Sequence, residues 1–199
     1  MPSSDPAPGR PGRRPGKPET RAALIAAARH RFMADGYAGV TVRSIAADAG
    51  VDPALINYFF GGKRELFAAA MALTVSPADV ASRLLDGPID GLGERLLRGL
   101  LETWDDPSSG SPLVSLVRAA TADAKLADML RGFAGQELLQ PIRARLGDDS
   151  PERASAVVSQ LLGVIYSRYI LRLEPMASSD PDDIVAVIAP ALQRVLQSR

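Results

Sequence analysis

The 199-residue sequence contains no cysteine, one histidine and one tryptophan. Without cysteine there are no disulfides, thiolate metal sites or thiol nucleophiles, which fits a reducing cytoplasm. His30 stands on a helix with no ligand at metal-binding spacing, and such a lone histidine is ordinarily surface or structural. No glycine-rich phosphate loop is present, and the paired acids Asp105-Asp106 and Asp182-Asp183 fall where solvation or a helix N-terminus explains them. These absences leave an enzyme without site chemistry, so no cofactor and no metal are expected. No apolar signal run opens the chain. Its longest apolar stretch, Ala154 to Leu173, is interrupted by Ser155, Ser159, Gln160, Arg168 and Arg172, which is too polar for a membrane span.

What is present is a chain 46% apolar with mean hydropathy +0.02, enough for one good core or two small ones. The formal net charge is zero but unevenly spread. Ten Lys+Arg face six Asp+Glu through residue 75, against 13 and 17 beyond it. That asymmetry suggests a basic reader of nucleic acid joined to an acidic body. Residues 1–18 are rich in Pro, Gly and Ser and carry Arg10, Arg13, Arg14 and Lys17, a composition that predicts a disordered basic arm. Such an arm either follows DNA phosphates or the minor groove, or is a solvated tail.

Leu24, Ile25, Ala28 and Phe32 share one face of a helix predicted over Glu19 to Asp35, which Gly36 ends. The run from Thr41 to Lys63 then has the local grammar of a helix-turn-helix. Thr41 is a hydroxyl N-cap, Ile45, Ala46 and Ala49 are buried positions, and Gly50 supplies a left-handed cap. Asp52 caps a second helix with Pro53 at its first position, and Ile56 and Phe60 face inward. Pro53, Ala54 and Asn57 are left outward. Small side chains let a helix approach a groove, and the Asn57 amide is expected to read a base, since an amide pairs bidentately with adenine. Lys63, at the start of the next helix, is expected to clamp a phosphate together with the free amides there.

The run from Arg21 to Phe67 resembles the DNA-binding domain of the tetracycline-repressor (TetR) family of bacterial transcription regulators. The resemblance lies in Phe32, Gly36 and Tyr37 at the end of helix one, and in Thr41, Ile45 and Ala46 opening helix two. It continues in Ala-Gly-Val at the turn, Tyr58 and Phe60 in helix three, and Lys63, Leu66 and Phe67 opening helix four. It implies an all-α homodimer with an N-terminal three-helix DNA-binding domain and a C-terminal helical domain for ligand and dimer contacts. By position it implies Thr41 and Lys63 on phosphates, Arg43 on a base or phosphate and Tyr58 near the backbone. Val42, Asp52, Pro53, Ala54 and Asn57 complete the expected DNA-binding set. The chain departs from the family at Leu55, Asn57 and Phe59, where its own sequence preference is expected to reside.

The resulting organisation is an arm over 1–18, a reader over 19–65 and a helical body over 66–199. In the body, helices are predicted from Ser76-Pro77 to about Asp86, over Ile89 to Trp104, over Leu113 to Ala122 and over Lys125 to Leu146, with Pro141 as a kink or break. The segment DDPSSGSP, Asp105 to Pro112, is predicted as a loop. The last two helices, Glu152 to Leu173 and Pro181 to Gln197, are apolar over too wide an arc for a surface pair. Val157, Leu161, Ile165, Ile184, Ile188 and Leu192 are the expected dimer residues. Trp104, Arg118, Met129, Phe133, Tyr166 and Tyr169 are the candidates for a ligand pocket, although each taken alone fits simple core packing. The function expected is a cytoplasmic bacterial regulator, nucleoid-associated when bound. It would bind a palindromic double-stranded operator as a homodimer, most simply as a repressor released by a small-molecule effector. The alternative is an architectural DNA binder without an effector.

Overall fold

The computed structural model describes residues 17–147 and 151–198, and the described chain is built from helices. Most of the expected basic arm, residues 1–16, lies outside the described residues. Lys17 and Pro18, assigned to that arm from composition, instead open the first helix, α1 (Lys17–Gly39). The left-handed backbone of Gly36, φ 69°, breaks α1 near its end, a conformation that glycine adopts without steric cost. The break turns Tyr37 into the core, where it is fully buried with Leu24, Ala28 and Phe32.

Three short helices follow: α2 (Val42–Asp48), α3 (Ala54–Phe60) and α4 (Lys63–Ala70). Each join is fixed locally. Thr41 Oγ1 accepts the Ser44 N–H at 3.1 Å while the Thr41 N–H donates to Ser44 Oγ at 3.1 Å, a reciprocal capping box. Gly50, φ 65°, closes α2 with Val51 N–H donating to the Ala46 carbonyl at 3.0 Å. Asp52 Oδ1 accepts the Ala54 N–H at 2.7 Å and so starts α3. These caps set the angle between helices, and Ile45, Ala46 and Ile56 hold it by complete burial. Burying one such Ile side chain contributes on the order of 1.5–3 kcal/mol.

The body consists of α5 (Pro77–Leu85), α6 (Leu92–Asp105), α7 (Pro107–Ala122), α8 (Ala124–Ala134), α9 (Gln140–Leu146), α10 (Pro151–Ile165) and α11 (Pro181–Gln197). The expected loop at Asp105 to Pro112 is corrected: α7 begins at Pro107 and runs through Pro112. Asp106 Oδ1 accepts the N–H groups of Ser108 and Ser109 at 2.7 and 3.2 Å, and Pro107 occupies the first turn, where no N–H is needed. Pro112 cannot bond the Ser108 carbonyl, and Thr74 Oγ1 donates to that carbonyl instead, at 2.8 Å. Gly110 is the close-approach point, because a Cβ there would lie 2.0 Å from the Trp104 carbonyl oxygen.

Pro141 does not break its helix outright. The turn before α9, Gly135–Leu139, is a π-helical segment, and it joins α8 to α9. A second π segment, Tyr166–Ile170, extends α10, which therefore ends short of the expected Leu173. Gly93 lets α6 press on α11, since a Cβ would sit 2.8 Å from the Gln193 nitrogen, and the Gly93 N–H donates to Gln193 Oε1 at 2.9 Å. No helix among the described residues is long and apolar enough to cross a membrane.

Two apolar clusters result. One joins the reader helices to α8 through Leu126, Met129 and Phe133, and so crosses residue 65. The other is built on α6, α10 and α11. Outside the cores, Arg31 of α1 holds α2 through Asp48. Its Nη2 donates to Asp48 Oδ1 at 2.7 Å, its Nε pairs with the other carboxylate oxygen, and Nη1 donates to Asp35 at 3.1 Å. The hydrogen bonds from Arg31 hold the Asp48 carboxyl below the usual carboxylate range. A carboxyl depressed in the folded state stabilises at pH above its unfolded value, about 3.9, and loses that contribution as pH falls through the lower folded value. Asp48→Asn is therefore expected to lower the thermal midpoint at neutral pH. The gap to the unsubstituted protein should close as pH falls below about 4, checked by melting curves across the acid range.

Candidate nucleic-acid interface

α2, α3 and their caps carry a set of solvent-facing residues. Thr41, Arg43, Asp52, Pro53, Ala54, Asn57 and Tyr58 are exposed, and Val42 and Lys63 are half-buried. Arg43 makes no ion pair among the described residues. The hydroxyl of Thr41 caps α2 yet stays at the surface. Of the three departures from the family pattern, Leu55 and Phe59 pack against the reader's apolar cluster, and only Asn57 is exposed. The exposed side chains at the start of α3 and along it thus include Pro53, Ala54, Asn57 and Tyr58.

Tyr58 has a neighbour that composition hid. Lys17 Nζ donates to the Tyr58 hydroxyl at 3.1 Å and lies 5.5 Å from its ring centroid. The chain therefore enters the reader alongside α3, and its first described cation is at the edge of the exposed face. Arg21 lies 5.1 Å from the Phe60 ring centroid, so α1 covers the inner edge of α3 with a second cation.

Lys63 is less available than its place at the start of α4 suggests. Its ammonium sits 4.2 Å from the centroid of the Tyr37 ring. Burial there draws its pKa below the usual lysine value, and the charge of Glu137 works against that shift. Tyr37 in turn donates its hydroxyl proton to Glu137 Oε1 at 2.7 Å, across 100 residues of sequence. Burial first, and this hydrogen bond second, hold the phenol proton well above the ordinary tyrosine range. Glu137 Oε2 lies 2.5 Å from Arg64 Nε, an ion pair that adds no second well-aligned hydrogen bond at that oxygen. Glu137 is on the π segment between α8 and α9, and sequence reading missed it. Its only signal was an acid four residues before a helix-breaking proline.

The ligand candidates do not converge. Trp104 lines a cavity of about 150 Å³ between α5, α6, α7, α9 and α10, and it is the only one of the six to do so. Met129 and Phe133 take the core-packing alternative: they are buried in the reader's cluster, with the Phe133 ring stacked on Phe67 at 4.6 Å. The Arg118 guanidinium donates to the carbonyls of Tyr169 and Ile170 at 3.3 Å, at the end of the second π segment. Tyr169 packs its ring 5.3 Å from Trp104, behind the cavity wall, and Tyr166 is exposed. The apolar wall is made by leucines that carried no special mark in the sequence.

The expected dimer residues lie largely within the chain's own core. Val157 and Leu192 are fully buried within their own chain, and Ile165 and Ile184 nearly so. Leu161 and Ile188 are half-buried against the same cluster. The uncovered faces are the adjoining ones. On α10 they carry Ser155, Ser159, Leu162, Gly163 and Tyr166, and on α11 Ala186, Val187, Pro190 and Arg194. Val187 is 77% exposed and Leu162 43%, while the small residues between them leave room for close helix approach.

With this geometry in hand, the sequence matches two known domain patterns. Residues 24–70 match the bacterial regulatory proteins of the tetR family, and residues 90–196 match the tetracyclin repressor-like C-terminal domain. Among solved structures, a TetR-family regulator from Streptomyces coelicolor A3 is 32% identical, covering 94% of this chain and 100% of that one, at a TM-score of 0.49. The multidrug binding protein EbrR, complexed with proflavin, is 26% identical over 89% of this chain and 99% of its own, also at 0.49. NalD, the secondary repressor of the MexAB-OprM multidrug efflux pump in Pseudomonas aeruginosa, is 17% identical over 89% and 96%, at 0.45. No functionally curated protein matches the sequence.

The Glu137 contacts carry a stability test. Glu137→Gln keeps a side chain able to accept from Tyr37 but removes the charge facing Arg64. A loss of about 1–3 kcal/mol is expected in urea unfolding, the range for a charged hydrogen-bonded group in a partly buried site.

Proposed function

Since the chain belongs to the tetR family of bacterial transcription regulators, we propose that it is a ligand-responsive regulator, most simply a repressor, which binds a palindromic operator as a homodimer. The observation that carries this reading is the exposed face of α3, where Pro53, Ala54 and Asn57 stand together beside the hydroxyl cap at Thr41. Ala and Pro allow the helix to lie close in a major groove, and an amide is the side chain suited to adenine. Thr41, Arg43 and Tyr58 surround that face with groups suited to phosphate oxygens, and Val42 and Asp52 border it. Lys63 reaches a phosphate by leaving the Tyr37 ring, exchanging a cation–π contact for a charge pair, which its flexible stem permits.

One such reader makes few contacts. Affinity then depends on engaging two half-sites at once, at a separation of roughly one helical turn, about 34–36 Å. The second copy would cover the uncovered faces of α10 and α11, where Leu162, Tyr166 and Val187 are exposed. A ligand acting in the body changes the head separation through α8, the π segment and Glu137, which contact the reader directly. A pocket between the body helices supports this reading over a purely architectural DNA binder, whose body needs none.

Asn57 and Arg43 separate base reading from phosphate contact. With operators selected from random DNA by the purified protein, Asn57→Ala should erase preference at one base position of each half-site, a discrimination of about 1–3 kcal/mol. Arg43→Ala should weaken all sequences together and reduce the salt slope by about one. If Asn57→Ala weakened every operator variant equally, its base-reading role would be wrong.

The dimer face has its own test. Val187→Glu should halve the mass seen by sedimentation at micromolar concentration and abolish the advantage of the palindrome over a single half-site. An unsubstituted protein that is monomeric there, and binds one half-site as tightly as two, would sink the proposed mode of action.

A further inference from the structure

The cavity in the body has a chemistry of its own. Aliphatic side chains supply nearly all of its wall, with Leu84, Leu100, Leu138 and Val158 among them. Only Thr103 and Trp104 bring polar side chains to it, and the Thr103 hydroxyl already donates to the Gly99 carbonyl at 2.7 Å. No Asp, Glu, Lys, Arg or His lines it. The charged residues that follow Trp104 in the fold are occupied with each other, since Arg168 pairs with Asp105 at 3.3 Å and donates to the carbonyls of Met176 and Ser179. An ion entering this space would surrender its hydration and gain no partner. An apolar molecule would regain the contacts that a void in a leucine-lined core forfeits.

Size narrows the class further. The cavity, about 150 Å³ and partly open to solvent beside Leu162, matches in volume apolar cavities that accept a molecule of the size of benzene. We propose that the cavity is a binding site for small, uncharged, hydrocarbon-rich molecules of about one substituted aromatic ring, and that it rejects cations and anions of the same shape. This deepens the ligand-responsive reading above, and rests on it only for the consequence at the DNA.

The chain's single tryptophan, Trp104, lines the cavity and reports on it without labelling. The test uses the full-length protein and three probes that share one scaffold: n-propylbenzene, 3-phenylpropylammonium and 3-phenylpropionate. The neutral probe is expected to change Trp104 emission saturably and to raise the thermal midpoint. Both ions should need at least roughly tenfold higher concentration for the same change, because neither finds a counter-charge. Ala81→Leu, which adds bulk to the wall, should weaken the neutral probe at least as strongly while leaving the far-ultraviolet circular dichroism unchanged. The proposal is overturned if either ion binds as tightly as propylbenzene, or if none of the three binds saturably. It is overturned equally if propylbenzene binds with Trp104 emission unaltered.

Measuring operator affinity in the same titrations keeps the two ideas apart. Propylbenzene bound at Trp104 with no effect on DNA affinity would leave the cavity chemistry standing and overturn ligand responsiveness. Release of DNA by one of the ions, with none of the three probes binding saturably at Trp104, would do the reverse.

Discussion

The side chain of Tyr37 is the point on which the two halves of this molecule depend. Its ring is fully buried and stacks on Phe32 at 5.5 Å, and it meets Phe67 edge-on at 5.0 Å and Phe133 at 5.2 Å. Those partners come from α1, α4 and α8, so one ring ties the reader to the body. Aromatic pairs in such edge-on and offset geometries add about 0.5–1.5 kcal/mol each beyond area burial. The hydroxyl fixes the ring's orientation by donating to Glu137, and the Arg64 charge holds Glu137 in place from the other side. The left-handed turn at Gly36 is what allows Tyr37 to point inward at all.

From this arrangement the segment α8, π turn and α9 acquires three duties. Met129 and Phe133 belong to the reader's core, Glu137 bonds Tyr37, and Leu138 and Ile142 line the cavity. A π turn changes the helical register, so neighbouring residues can serve different partners. Pro141 forces that irregularity, since it removes an N–H from the helix ladder. In the function proposed above, this short stretch, which touches both the cavity and the reader, is the route by which filling one would move the other.

The sequence was most legible where the determinants were local. Thr41, Gly50 and Asp52 announced the helix-turn-helix because caps act within a few residues of themselves, and each makes the capping or turn contact expected, while Pro53 stands one place before the first residue of α3. It misled where composition stood in for contact. Asp105 to Pro112 has the composition of a loop, yet Asp106 caps a helix there, and Thr74, distant in sequence, satisfies the carbonyl that Pro112 strands. The aromatic residues chosen as pocket lining were judged by type, and Phe133 proved to belong to the reader's core. The dimer residues were chosen from an apolar arc too wide for one partner. Periodicity identified that arc but not which side faces the chain's own core, and the buried side took Val157 and Leu192.

By itself the sequence determined an all-helical chain, the position of the reading motif and the polar, small-residue face of α3. Caps, glycines and hydrophobic spacing act over one or two turns and leave little to distant residues. Only the tertiary structure decided that Lys63 rests on Tyr37, that Glu137 joins body to reader, and that the cavity wall carries no charge. Those outcomes depend on which helices meet. The meeting of side chains 100 residues apart is set by the packing of the whole core, which no local pattern encodes.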